Sequence, residues 1–306
     1  MSSRLTPRGI RILFTGLSAF PLTPLRNDAV DEASFSALVN RLAESEVDSI
    51  AVLGSTGSYA YLSPDERRRV VRLAAANAGS KPLIVGVGAL RTSDVLANAR
   101  CAEDAGAAGI LLAPVSYQAL TDDDVFGLFS DVTGATDVPV IVYDNPGTTH
   151  FTFSTELYGR IAELPGIASI KIPPVSAAAA RARVDEVRAV IPESVTLGIS
   201  GDAAAAHGLS AGCDAWYSAV AGTLPEPAVR ITRAVAEGRY DDATAESDRM
   251  APLWELFAEH GSVRVIAAVA EHLGLVPQSC LPLPVRGLDA VDRRRVAGVV
   301  EELALA

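Results

Sequence analysis

Lysine is almost absent from this chain of 306 residues: 24 of its 26 basic residues are arginine, leaving only Lys81 and Lys171. An arginine guanidinium does not form an imine with a simple ketone, so among the side chains Schiff-base chemistry has two addresses. Cysteine is scarce as well. Cys101, Cys213 and Cys280 lie 112 and 67 residues apart, which excludes a zinc-type cluster and argues against a disulfide framework. An excess of positive charge is missing: the net charge is −11 and the isoelectric point near 4.9. Such a surface repels a nucleic-acid backbone or an anionic membrane, so neither is an expected partner. Long apolar runs are missing too. The stretch 203–225 carries only Asp214 as a formal charge, but its small residues and the break at Gly212 suit packed helix and strand, not a bilayer span. Arg4, Arg8 and Arg11 before the uncharged run 12–25 imitate a secretory signal, yet Pro21 and Pro24 interrupt it and no small-residue cleavage site follows. A reduced, cytoplasmic protein is the expectation.

What is present is apolar material: 49% hydrophobic residues, 21% charged, mean hydropathy +0.26. That excludes intrinsic disorder and supplies one large core. Short β-branched runs alternate with amphipathic segments. Strands are expected at 12–17, 49–53, 83–87, 109–112, 138–143, 168–172, 195–198 and 215–218, with helices at 31–46, 64–78, 92–105, 122–135, 154–163, 177–190 and 203–211. Ser63 followed by Pro64, Asp65 and Glu66 carries a helix-start signature. Eight strands alternating with helices, most of them continuous apolar runs, describe a parallel sheet buried on both faces, and the count favours a closed (β/α)8 TIM barrel. After about residue 222 only helical patterns remain, at 226–237, 241–259, 262–273 and 289–304, so the chain divides into a barrel (1–222) and a C-terminal helical domain (223–306). Catalytic groups of such a barrel belong at the C-terminal ends of its strands.

Lys171 meets that condition, in the apolar strand Ile167-Ala-Ser-Ile-Lys-Ile-Pro-Pro174; Lys81, in a turn, reads as a solvated charge. A buried ammonium is costly, so Lys171 is either a depressed-pKa nucleophile or a structural lysine paired with a carboxylate of a neighbouring strand. The turn Gly54-Ser55-Thr56-Gly57 follows the second strand, and its N–H groups and hydroxyls suit a carboxylate, or form only a turn. Tyr143 ends the fifth strand as a core residue or a proton carrier. Ser200-Gly201-Asp202 after the seventh strand suits a polar substrate tail. Gly86 to Thr92 lacks the third glycine of a dinucleotide fingerprint, and His150, His207, His260 and His272 show no metal-ligand spacing.

The ordered set GSTG (54–57), VYDNP (142–146), SIKIP (169–173) and ISGDA (199–203) resembles the dihydrodipicolinate synthase / N-acetylneuraminate lyase family, over nearly the whole chain from Phe20 onward. The resemblance implies a lyase or aldolase that binds pyruvate or a related 2-oxo acid, with an aldehyde as second partner, and needs no metal or organic cofactor. Lys171 would form the imine and Tyr143 would carry protons, with Ser55 as the third catalytic residue. Ser55, Thr56 and Gly57 would hold the carboxylate, with Thr148, Gly201, Asp202, Tyr217 and Tyr117 as further substrate contacts. A homo-oligomer, tetramer or dimer, is implied as well. The departures are as specific as the matches. Ser58 stands where the family has a glutamate, and Thr148 where the synthase has a carboxylate-binding arginine. Val115 and Ser116 stand for its paired tyrosines, with Tyr117 one position along, and Tyr217 replaces an aliphatic residue and narrows the cavity. The expectation is an intact imine step without lysine-pathway synthesis, serving carbon–carbon cleavage or condensation, or a dehydration through the same imine. The alternatives are a catalytically silent relative that binds a keto or sugar acid, the synthase itself, and a barrel whose lysine carries pyridoxal phosphate.

Overall fold

The computed structural model describes residues 14–305. Eight strands form the frame: β1 (Gly16–Ala19), β2 (Ser49–Val52), β3 (Leu83–Gly86), β4 (Gly109–Leu112), β5 (Val140–Tyr143), β6 (Ile167–Ile172), β7 (Thr196–Ile199) and β8 (Ala215–Ser218). Each pairs in parallel with its sequence neighbours, and β1 closes the ring by pairing with both β8 and β2. This is the (β/α)8 TIM barrel read from the strand count. The helices α1 (Glu32–Glu44), α2 (Pro64–Asn77), α3 (Thr92–Asp104), α4 (Asp122–Thr133), α5 (Thr155–Ala162), α6 (Ala177–Arg188), α7 (Ala205–Ser210) and α8 (Pro225–Ala236) form its outer layer. Local chemistry starts them where expected. Ser63 and Glu66 satisfy each other's backbone N–H groups in a capping box ahead of α2, and Thr121 and Asp124 do the same for α4.

Burial separates two cores. The larger lies between strands and helices, where Ile50, Val85, Leu112, Val142, Ile170 and Leu197 meet the helix faces. The smaller fills the barrel, with Phe14, Ala51, Ile84, Leu111, Ile141 and Ala215 among its members. Each large apolar side chain fully removed from water contributes about 1.5–3 kcal/mol.

α8 falls beyond residue 222 in the sequence but packs on β1 and α7. Its Arg233 reaches both carboxylate oxygens of Asp48 at 2.9 and 3.0 Å, and Asp48 in turn accepts the Leu17 N–H at 2.7 Å. Helices α9 (Tyr240–Arg249), α10 (Ala251–His260), α11 (Ser262–His272) and α12 (Ala290–Glu302) complete the chain. The single helix expected over 241–259 is broken at Met250, because Pro252 suits only the first turn of a new helix. Among the described residues no helix is long and apolar enough to cross a membrane.

Candidate active site

Period-two alternation along β6 sends Ile170 and Ile172 to the outer core and leaves Ser169 and Lys171 facing the barrel interior. Lys171 lies level with Tyr143 of β5 and Gly198 of β7. Its ammonium nitrogen sits 4.2 Å from the ring centres of both Phe20 and Tyr143, and 5.7 Å from that of Tyr217. Burial pushes its pKa below the ordinary lysine range, partly opposed by the Tyr143 hydroxyl and the Asp202 charge. Among the described residues no carboxylate forms an ion pair with this nitrogen. The carboxylate of Asp202 is committed elsewhere. It accepts from Trp216 Nε1 at 3.2 Å, Ser218 Oγ at 2.8 Å and the N–H groups of Ala219 and Val220 at 3.1 and 3.2 Å. Asp202 therefore anchors the end of β8 and acts on Lys171 only through space.

Tyr143 is the hub of the hydroxyl network. Its phenol oxygen lies 3.1 Å from Ser55 Oγ and accepts from Asn145 Nδ2 at 2.8 Å. Ser55 arrives on a tight turn whose flanks, Leu53 (φ 58°) and Ser58 (φ 53°), both adopt the left-handed backbone that non-glycine residues avoid. Strain of that kind persists only where the surroundings fix it, and it concentrates at ligand-binding rims. Gly198 matters for a different reason. A methyl group there would lie 2.3 Å from the Tyr217 ring, so its absence seats that ring, whose hydroxyl lies 2.7 Å from Ser169 Oγ.

These groups open into one cavity of about 620 Å3 at the C-terminal ends of the strands. Of the residues singled out in the sequence, Ser55, Thr56, Tyr143, Thr148, Lys171, Gly201, Asp202 and Tyr217 line it. Gly57 does not; it packs against the backbone of Leu53 and the hydroxyl of Thr23. Tyr117 is also outside it, 92% exposed in the loop after β4. Phe20, Asn145, Trp254 and Phe257, to which the sequence assigns no role, reach the cavity as well, as does His207, weighed there only as a metal ligand. Asn145 stood inside a quoted motif without a role, because its contact with the Tyr143 hydroxyl depends on the turn that follows β5. Lys81 is half-buried rather than merely solvated, donating to the carbonyl of Val47 at 2.8 Å. The carboxylates of Glu259 and Asp292 come together with His260 outside the cavity lining, but Arg295 already binds both acids. They offer no open ligand set.

Residues 13–303 match the model of the dihydrodipicolinate synthetase family. The chain belongs to that family. Among its relatives, the 4-hydroxy-tetrahydrodipicolinate synthase of Salinibacter ruber is 30% identical, over 95% of this chain and 97% of its own length. That of Nitrobacter hamburgensis is 34% identical over 81% of this chain and 83% of its own. The crystal structure of dihydrodipicolinate synthase from Agrobacterium tumefaciens superposes with a TM-score of 0.93 at 44% identity, covering 96% of this chain and 99% of that one. Membership supports lyase activity of the class I pyruvate-aldolase type at family level. Against the family pattern, Thr148 stands at the cavity wall, while the loop residues Ser116 and Tyr117 face solvent.

Proposed function

We propose that the protein is a Schiff-base lyase or aldolase acting on pyruvate or a related 2-oxo acid. The observation that carries this reading is the amine of Lys171, buried without a carboxylate partner beside the hydroxyl network of Tyr143 and Ser55. A lowered pKa leaves more of that amine neutral near pH 7, and the neutral amine is the nucleophile. It attacks the keto carbon; the carbinolamine takes up a proton at oxygen and loses water, leaving an imine. Tyr143 is suited to deliver that proton and to receive one from the hydroxyl of the carbon–carbon bond being cleaved. The electrons of the broken bond then flow into the imine, giving an enamine that is protonated and hydrolysed. The imine is its own electron sink, so the step uses no metal or organic cofactor.

Ser55 and Thr56, with the turn's N–H groups, would hold the substrate carboxylate, while Gly57 supports the turn from behind. Gly201 and Tyr217 bound the cavity. The exposed ring of Tyr117 is available to a second copy of the chain, in keeping with a tetramer or dimer, and a cytoplasmic location suits the free cysteines. The relatives' names favour a second reading, the synthase itself. Thr148 speaks against it, since a hydroxyl does not replace the bidentate clamp an arginine gives a second carboxylate.

Incubation with pyruvate and borohydride, followed by the mass of the intact chain, tests the proposal. One reduced pyruvate adduct supports it; no adduct favours a silent relative, and aldimine absorbance in the purified protein favours pyridoxal phosphate. A rate with pyruvate and aspartate semialdehyde equal to that of a working synthase would overturn the exclusion of the second reading.

A further inference from the structure

The cavity is far larger than a three-carbon acid needs, and its two ends differ in chemistry. At the deep end stand Lys171, Tyr143, Ser55 and Thr56; the outer wall comes from α10 and the start of α11, through Trp254, Phe257 and Val263, faced by Val175 after β6. Trp254 spends its indole N–H on the carbonyl of Ser247 at 2.9 Å, so it offers the cavity only ring carbon. Phe257 packs against it in an edge-on pair with centres 5.5 Å apart. Among the described residues no arginine lines the cavity, and Lys171 is its one lysine. The hydroxyl of Ser200 is committed to the carbonyl of Ile172 at 2.8 Å. His207 is the one imidazole in the lining. Arg264, in the neighbouring cavity that shares Ser55, Thr148 and Val263, gives its Nε to the carbonyl of Arg286 at 3.0 Å. A second carboxylate on the substrate would therefore find no guanidinium or ammonium in the lining beyond Lys171, inside a chain of net charge −11.

We infer that this outer wall is a subsite for an uncharged aryl group, so that the fragment beyond the reacting bond is an aromatic aldehyde. The inference rests on the imine reading above and names its second substrate. In the cleavage direction a 4-aryl-4-hydroxy-2-oxo acid condenses with Lys171 and releases water. Its C3–C4 bond breaks as the 4-hydroxyl gives up its proton, the aryl aldehyde departs, and the bonding pair passes into the enamine. Protonation at C3 and return of the water free pyruvate. Trp254 and Phe257 bind by burying ring surface, and aromatic pairs add to that burial.

Two readouts test it. Binding of 4-phenyl-2-oxobutanoate and of 2-oxoglutarate is followed by tryptophan fluorescence, with Trp254→Phe as the control for the origin of the signal. The phenyl acid is expected to bind at least about tenfold more tightly, the scale on which pocket contacts discriminate. In the second readout, pyruvate release from 4-hydroxy-2-oxo-4-phenylbutanoate is expected to exceed that from 4-hydroxy-2-oxoglutarate by the same factor in kcat/KM. Phe257→Arg and Thr148→Arg, each placing a guanidinium in the cavity lining, are each expected to reverse the preference toward the dianion, and an aryl preference unchanged in both counts against the subsite. Equal or preferential binding of 2-oxoglutarate, or binding of neither acid, overturns the subsite. Binding needs no imine, so it judges the aryl subsite even if trapping fails, and trapping without aryl preference leaves the imine reading standing alone.

Discussion

A single methyl group at position 198 should break the site from behind. The Cβ of Gly198→Ala would lie 2.3 Å from one carbon of the Tyr217 ring and 2.7 Å from another, against 3.4 Å or more for an ordinary contact. The ring must withdraw by about 1 Å, and both its anchors limit the movement. Its hydroxyl is bonded to Ser169 at 2.7 Å, and its face stacks edge-on with Phe20 at 6.2 Å. Overpacking of a rigid core costs about 1–3 kcal/mol, and loss of the buried hydroxyl pair adds about 1 kcal/mol. The substitution is therefore expected to lower the unfolding free energy by about 2–4 kcal/mol in urea titrations. It should also slow borohydride trapping, because the displaced ring borders the amine of Lys171. Tyr217→Leu removes the obstacle, so the double variant should lose at least about 1 kcal/mol less than the two single losses summed. Strictly additive losses, or a stable Gly198→Ala protein with normal trapping, would refute the steric reasoning.

Further outcomes follow from the same geometry. Tyr143→Phe removes the hydroxyl that Ser55 and Asn145 share; carbon–carbon turnover should fall by about 10²–10⁴, the span of general acid–base catalysis, with the fold intact by circular dichroism. For Lys171, whose pKa burial lowers, the trapping rate should rise with pH and level off at a midpoint below the ordinary lysine value; a midpoint at that value contradicts the burial argument. Asp144 is buried behind Tyr143 with its carboxyl, bonded to the Tyr158 hydroxyl, pushed up to about 6. A raised acid stabilises the fold fully below its unfolded pKa, and that contribution is lost as pH rises from about 4 through 6. Asp144→Asn should accordingly gain about 1–2 kcal/mol on the parent between pH 4.5 and 8 in denaturant titrations, with no pH-dependent gain as the contrary result.

The sequence resolved the frame better than the contents of the cavity, for physical reasons. β6 was expected at 168–172 and runs Ile167–Ile172, because a parallel strand buried on both faces must be an unbroken apolar run. β5 starts at Val140, two residues later than expected, beyond Pro139, which has no N–H to give the ladder. β1 was misplaced. The apolar run 12–17 drew the expectation, with residues 12 and 13 outside the described range, whereas the strand is Gly16–Ala19, whose Ser18 and Ala19 carry no pattern. Lys171 was conspicuous because a charge interrupts an apolar strand. Trp254 and Phe257 were not, since an aromatic pair at helical spacing looks the same facing a core or a cavity. Asp202, expected as a substrate contact, lines the cavity, but its hydrogen bonds are not visible in the sequence. Its carboxylate accepts from four donors that close β8, which depends on the fold and not on local pattern. Tyr117, exposed in the loop after β4, stands outside the cavity in this single chain.

The central claim is that one buried amine captures a ketone. With only two lysines in the chain, peptide mapping after pyruvate and borohydride leaves little room for ambiguity. The account predicts a carboxyethyl group on Lys171, absent from Lys81 and abolished in Lys171→Arg. An unmodified Lys171 under conditions that label a known class I aldolase, or equal labelling of Lys81, would contradict it.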